Sequence, residues 1–244
     1  MASASRVTPP SNNPKKKGSA PAPSPNRNFL VLGGLAVVGI AVIAFLVMRP
    51  KDVSIPANVT VLAADTAGFR GYILGSDAAP VEISEYADYQ CPACGSFEIL
   101  QFDVIKRQLI DSGLVRWRYR DFPLPQHPHA RVAAHATACA NDQGKYWELH
   151  RAIYDNQAAW SSLRSASDFF RDLAKQAGVE LGAYDACMTS AKYAGRIEAS
   201  VQEGGKLGVG STPTFLIGGR LYPGVFSSDS LASLVRSMVP KPAP

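Results

Sequence analysis

The stretch VEISEYADYQCPACGSFEIL, residues 81–100, holds Cys91 and Cys94 separated by two residues. Such a pair can hold a zinc ion, shuttle two electrons as a dithiol, or cross-link a turn. A tetrahedral zinc site needs four ligands, yet Cys139 and Cys187 stand far apart with no nearby mate. His127 and His129 flank Pro128 and read as loop or helix-start residues, so no metal is expected. A purely structural bond closing so small a loop adds little by chain entropy. Dithiol chemistry fits the pair better than either alternative.

That chemistry needs a strand and a helix to aim it. Val81, Ile83, Glu85 and Ala87 alternate with Glu82, Ser84, Tyr86 and Asp88, which predicts a strand ending at the cysteines. Pro92 suits the first turn of a helix running to about Leu109, with Phe97, Leu100, Val104 and Ile105 as its inner face. Unpaired N–H groups at a helix start favour a thiolate, so Cys91 is the expected nucleophile and Cys94 the resolving thiol. By strand parity Glu85 shares the apolar face, where burial would raise its pKa and suit it to exchange a proton with the inner cysteine. The bland alternative is a glutamate at a frayed edge facing water.

A second strand is expected at Leu114 to Phe122, its Arg116, Arg118 and Arg120 forming a wet face. Residues 128 to about 207 read as helices, with Val132, Ala136 and Cys139 on one stripe, and Trp147, Leu149, Ile153 and Tyr154 in the next segment. Two short strands joined by Gly218 and Gly219 follow within Thr214 to Gly224, then a helix from near Ser228. This order predicts an α/β fold with a mixed sheet. Cys139 and Cys187 should both point inward. Outside the cytoplasm they would tend to pair, two separate buried thiols being the alternative.

The formal charge of +5 misleads. Met1 to Asp52 holds seven basic residues against Asp52 alone, which leaves 18 basic and 19 acidic residues of the chain's 25 and 20. A nucleic-acid surface is therefore not expected. Residues 1–28 read as a disordered cytoplasmic tail, with Lys15 to Lys17 a solvated topogenic run. Phe29 to Met48 follows, 20 residues without a charge, long enough to cross a bilayer as a helix. Arg49, Pro50 and Lys51 come directly after, favouring an uncleaved anchor over cleavage near Ala63 or Ala64. The positive-inside bias sends the rest across, through a juxtamembrane linker at 49–70 into a domain at 71–240.

Cys91-Pro92-Ala93-Cys94 after a strand, DFPL at Asp121 to Leu124, the helical insertion and GSTPTF at Gly210 to Phe215 together resemble a DsbA-like thiol-disulfide oxidoreductase of the thioredoxin superfamily. The similarity covers roughly residues 75 to 238. It implies a thioredoxin-like fold with an inserted helical subdomain, with Cys91 as the exposed attacking cysteine and Pro92 and Ala93 beside it in the substrate-binding surface. It also implies that Glu85 is the family's buried acid, that Pro213 is a cis-proline facing the sulfurs, and that Thr212 offers backbone hydrogen bonds to an extended substrate. The function implied is disulfide formation in exported proteins by a monomer without cofactor. An integral-membrane, quinone-linked protein of the DsbB or vitamin K epoxide reductase type would reoxidise it. Strongly oxidising members carry His in the position of Ala93, so a reductase or isomerase of the same fold stays open. A membrane-anchored copper chaperone is the rival of another class, disfavoured by the two-residue spacing.

Overall fold

The computed structural model describes residues 27–48 and 52–239. The two stretches belong to separate compact units. The first is one helix, α1 (Arg27–Met48). Among the described residues no helix is long and apolar enough to cross a membrane. Of the tail expected at 1–28, residues 1–26 lie outside the described residues, and Arg27 and Asn28 belong to α1 instead.

The second unit opens with a segment that is tied down rather than loose. Ile55 is buried, the Val53 amide donates to Ser167 Oγ (3.3 Å), and the Asn58 amide donates to Glu198 (3.1 Å). A single turn, α2 (Ala63–Thr66), follows. Its Asp65 carboxylate lies so close to Gly195 that a β-carbon there would collide with it.

Five strands make one mixed sheet: β1 (Tyr72–Leu74), β2 (Val81–Ala87), β3 (Val115–Asp121), β4 (Thr214–Ile217) and β5 (Arg220–Pro223). Their order is β1-β3-β2-β4-β5, with only β2 and β3 parallel. The parallel pair needs a crossover, and α3, residues 92–110, supplies it. Gly218 and Gly219 join β4 to β5 with φ of +55° and +79°, the left-handed backbone that a tight hairpin needs. The sheet face carrying Ile83, Trp117, Phe215 and Ile217 packs on Phe97, Ile105 and Leu109 of α3. It also packs on Leu231 and Val235 of α10 (Ser228–Met238).

The remaining helices form the insertion: α4 (Ala130–Asn141), α5 (Tyr146–Asp155), α6 (Gln157–Trp160), α7 (Ser167–Gln176), α8 (Leu181–Ser190) and α9 (Ala194–Leu207). Cys139 on α4 and Cys187 on α8 are joined by a disulfide inside it.

Two details depart from the periodicity expected above. After Pro92–Phe97, α3 widens into π-helical turns at Glu98–Phe102 and Lys106–Ile110, around a regular turn at Asp103–Ile105. Each wide turn adds a residue and rotates the face that follows. The inward step therefore goes from Phe97 to Phe102, and Leu100, expected inside, is 67% exposed. The arginines of β3 do not form a wet face either. Arg120 is buried, and both Arg118 and Arg120 pair with Glu203 of α9, which lies across that side of the strand.

Candidate functional site

Cys91 occupies the junction between β2 and α3. Its backbone is still extended (φ −70°, ψ 121°), and Pro92 begins the helix, where the missing N–H is no loss. The Gln157 side-chain amide of α6 holds the loop, donating to the carbonyls of Tyr89 (2.7 Å) and Cys91 (2.9 Å). Pro92 and Ala93 are exposed and Cys94 is fully buried; Cys91, which the resemblance implies to be exposed, is only 7% exposed, its sulfur lying against the Thr212 carbonyl. Both sulfurs are free thiols.

Across from them runs the segment entering β4. Its Thr212–Pro213 peptide bond is cis. The Cys91 thiol donates to the Thr212 carbonyl oxygen at 3.3 Å. The Thr212 hydroxyl is buried and, among the described residues, has no hydrogen-bond partner, which leaves it free to donate to the sulfur as a thiolate. Cys91 is lowered from 9.0 to about 5, chiefly because the Cys94 thiol donates to its sulfur. Thr212 and the amides of Cys94 and Ala93 add to this, and burial opposes it. The alanine at position 93 has no side-chain donor, so its contribution comes from the backbone alone.

Cys94 is displaced the opposite way. Burial raises it well above the ordinary range, and the facing Cys91 and the nearby Glu85 carboxylate raise it further. At neutral pH one sulfur is an ionised nucleophile and its partner a protonated reserve.

Glu85 is fully buried on β2, and its Oε2 accepts from Trp117 Nε1 on β3 at 3.1 Å. Burial pushes its carboxyl well up, the charge of Glu98 adds to that, and the Trp117 N–H pulls back. Strand parity predicts this residue; it does not predict the second carboxyl. Glu98, on the first wide turn of α3, is also fully buried, and burial raises it too. His150 of α5 lies beside it, Nε2 to Oε1 3.3 Å. Glu98 stands four residues after Cys94, a helical spacing that places the two on one face and is the signal that could have found it. His150 leaves no such signal, because only the tertiary fold brings α5 to α3.

The two loop histidines serve elsewhere. His127 Nδ1 lies 2.8 Å from buried Asp88, which also accepts the amides of Gln90 and Leu124. His129 Nε2 meets the Leu163 carbonyl at 2.7 Å. Among the described residues, the grouping of metal-ligating types is His135, Cys139 and Cys187. Its two sulfurs are bonded to each other and offer no thiolate.

The chain is similar in sequence and in fold to several known proteins. Over 169 residues the chain is 34% identical to Na(+)/H(+) antiporter NhaA 3 of Salinispora tropica, covering 69% of this chain and 24% of the antiporter. The chain thus spans about a quarter of the length of the antiporter relatives it matches. It is 25% identical over 158 residues to a probable disulfide bond formation protein D of Bacillus cereus, covering 64% of this chain and 73% of that one. Among solved structures it is similar in fold to alpha-DsbA1 of Wolbachia pipientis. That likeness has a TM-score of 0.63 and 22% identity, and covers 69% of this chain and 90% of the other. A family model described as Thioredoxin matches residues 70–237, more than half of the chain, and the chain belongs to that family.

Proposed function

We propose that this protein is a thiol-disulfide oxidoreductase that forms disulfide bonds in exported proteins through Cys91 and Cys94. One observation carries the reading. A sulfur held as a thiolate at a helix start faces Thr212 and Pro213, with a second, protonated thiol and a buried carboxyl behind it. The likeness to a probable disulfide bond formation protein supports it.

In the oxidised enzyme a substrate thiolate attacks Cys91 Sγ. The Cys91–Cys94 bond breaks, and Cys94 leaves as a thiolate that takes a proton from Glu85. A second substrate thiolate then attacks its own chain's sulfur in the mixed disulfide and expels Cys91 as a thiolate. Two electrons pass from substrate to enzyme. Of the two substrate protons one replaces that of Glu85, and the other goes to solvent. Thr212 and Pro213 receive the extended substrate beside Pro92 and Ala93.

Phe29 to Met48 supports an anchor with the catalytic unit outside the cytoplasm. The family resemblance supports reoxidation by an integral-membrane, quinone-linked partner. Cys139–Cys187 serves as a structural bond within the insertion.

The test is oxidation of a reduced, unfolded protein by the full chain, with the potential of Cys91 and Cys94 measured beside it. The reading expects refolding activity that Cys91→Ser abolishes and a potential nearer about −120 mV than about −270 mV. An active Cys91→Ser variant would overturn the exchange chemistry; a potential near about −270 mV would turn the reading to a reductase.

A further inference from the structure

Beneath the sulfurs lie two carboxyls, Glu85 and Glu98, both fully buried. Each has orphaned oxygens: Glu85 Oε1, and both oxygens of Glu98. Two carboxylates cannot share so dry a site, so at least one holds a proton. The surrounding hydrogen bonds say which.

The tautomer of His150 follows from its neighbours. Thr137 donates its hydroxyl to the Ala134 carbonyl at 2.9 Å, so its oxygen accepts the Tyr89 hydroxyl at 3.3 Å. With that proton committed, the Tyr89 oxygen is an acceptor toward the other groups on it, Tyr146 OH at 3.1 Å and His150 Nδ1 at 2.8 Å. In that arrangement His150 carries its proton on Nδ1 and presents a bare Nε2. That nitrogen lies 3.3 Å from Glu98 Oε1, and among the described residues neither atom has a hydrogen-bond partner. A bare nitrogen repels a carboxylate and accepts from a carboxylic acid.

We propose that His150 is a positioning residue of the dithiol centre, its Nε2 retaining the proton on Glu98 so that Glu85 is the carboxyl that trades a proton with Cys94. The inference rests on the reading of Cys91 and Cys94 as an exchange pair and assigns how its two buried acids divide the work.

Of the remaining charges around the pair one opposes this division, a charge on Glu98 raising the Glu85 carboxyl, and the others bear on it as follows. Burial holds His150 down at about 3, so it is neutral, and raises Glu98. Arg151 on α5, flanked by its own partners Asp103 and Asp155, favours the Glu98 carboxylate from the surface, and burial outweighs it. The phenols of Tyr89, Tyr119, Tyr146 and Tyr154 are raised by burial and stay protonated. From β2, the titratable group facing Glu98 is Glu85. Trp117 Nε1–H, bound to Glu85 alone, stabilises a negative charge on that carboxyl rather than on Glu98.

The test reads protons, not turnover. In the reduced full chain, nitrogen NMR of the His150 ring should show Nδ1 protonated and Nε2 bare from about pH 6 to 8. The Glu98 side-chain carbon should show a protonated acid at about pH 7. His150→Phe removes the acceptor and should lower the Glu98 midpoint by about one pH unit, roughly a tenfold rise in its ionised fraction below the midpoint. His150→Gln, whose amide oxygen can accept, should restore most of it. A proton on Nε2 of the wild-type ring, or an ionised Glu98 at about pH 7, would overturn the proposal even if His150→Phe failed to fold. Failure of the exchange reading would show separately, as disulfide formation that survives Cys91→Ser.

Discussion

Lowering the Cys91 thiol from 9.0 to about 5 makes the reduced protein's stability depend on pH in a defined direction. The folded midpoint lies below the unfolded one, so between about pH 5 and 9 the unfolded chain binds the extra proton and stability rises with pH. The contribution is complete above about pH 9, falls as pH drops, and is gone below about pH 5. At pH 7 about two of the roughly four pH units are in play, about 2.7 kcal/mol at about 1.36 kcal/mol each. Solvent screening of a thiolate at the helix mouth makes this an upper limit. The oxidised protein has no such titration. The same energy therefore favours reduction, by up to about 60 mV at about 30 mV per 1.4 kcal/mol. Chemical denaturation of both redox forms from about pH 5 to 8 measures this: the reduced form should gain on the oxidised form as pH rises. A stability difference flat over that window, or a Cys91 alkylation midpoint near about 8.5, would refute the assignment of a stabilised thiolate.

Glu85→Gln should slow proton delivery to and from Cys94, reducing the Cys94-dependent step by about 100-fold in stopped-flow exchange with little change in Cys91 alkylation. Replacing both Cys139 and Cys187 by Ala removes a link closing a 48-residue separation, and denaturation should show a loss of about 4 kcal/mol. Mild reductant should free Cys91 and Cys94 for labelling before that link opens. Phe102→Ala should cost about 3 to 5 kcal/mol, whereas Leu100→Ala should stay within about 0.5 kcal/mol, a direct check on the rotated face of α3.

What can be read from the chain is whatever local spacing encodes. Period-two alternation marks β2 and buries Glu85, Pro92 marks the helix start, and Gly218 with Gly219 marks the hairpin. The wide turns of α3 cannot be read this way. Stepping onward from Phe97 by ordinary helical spacing, about 3.6 residues per turn, sends Leu100 to the wrong side. Arg120 reads as solvated because alternation records which face a residue takes but not what covers that face; α9 covers it, with Glu203 as the counter-charge. His150 and Gln157 reach the cysteine loop only through the packing of the insertion, a long-range fact with no local trace.

The tethered start of the catalytic unit bears on where this protein can be cut. A truncation at Gly71, the boundary that composition suggests, would strip Ile55 from its berth. It would also take the Asn58 amide from Glu198 and leave that carboxylate to Arg131 alone. Shortened versions meant to fold unaided should keep the chain from Asp52 onward.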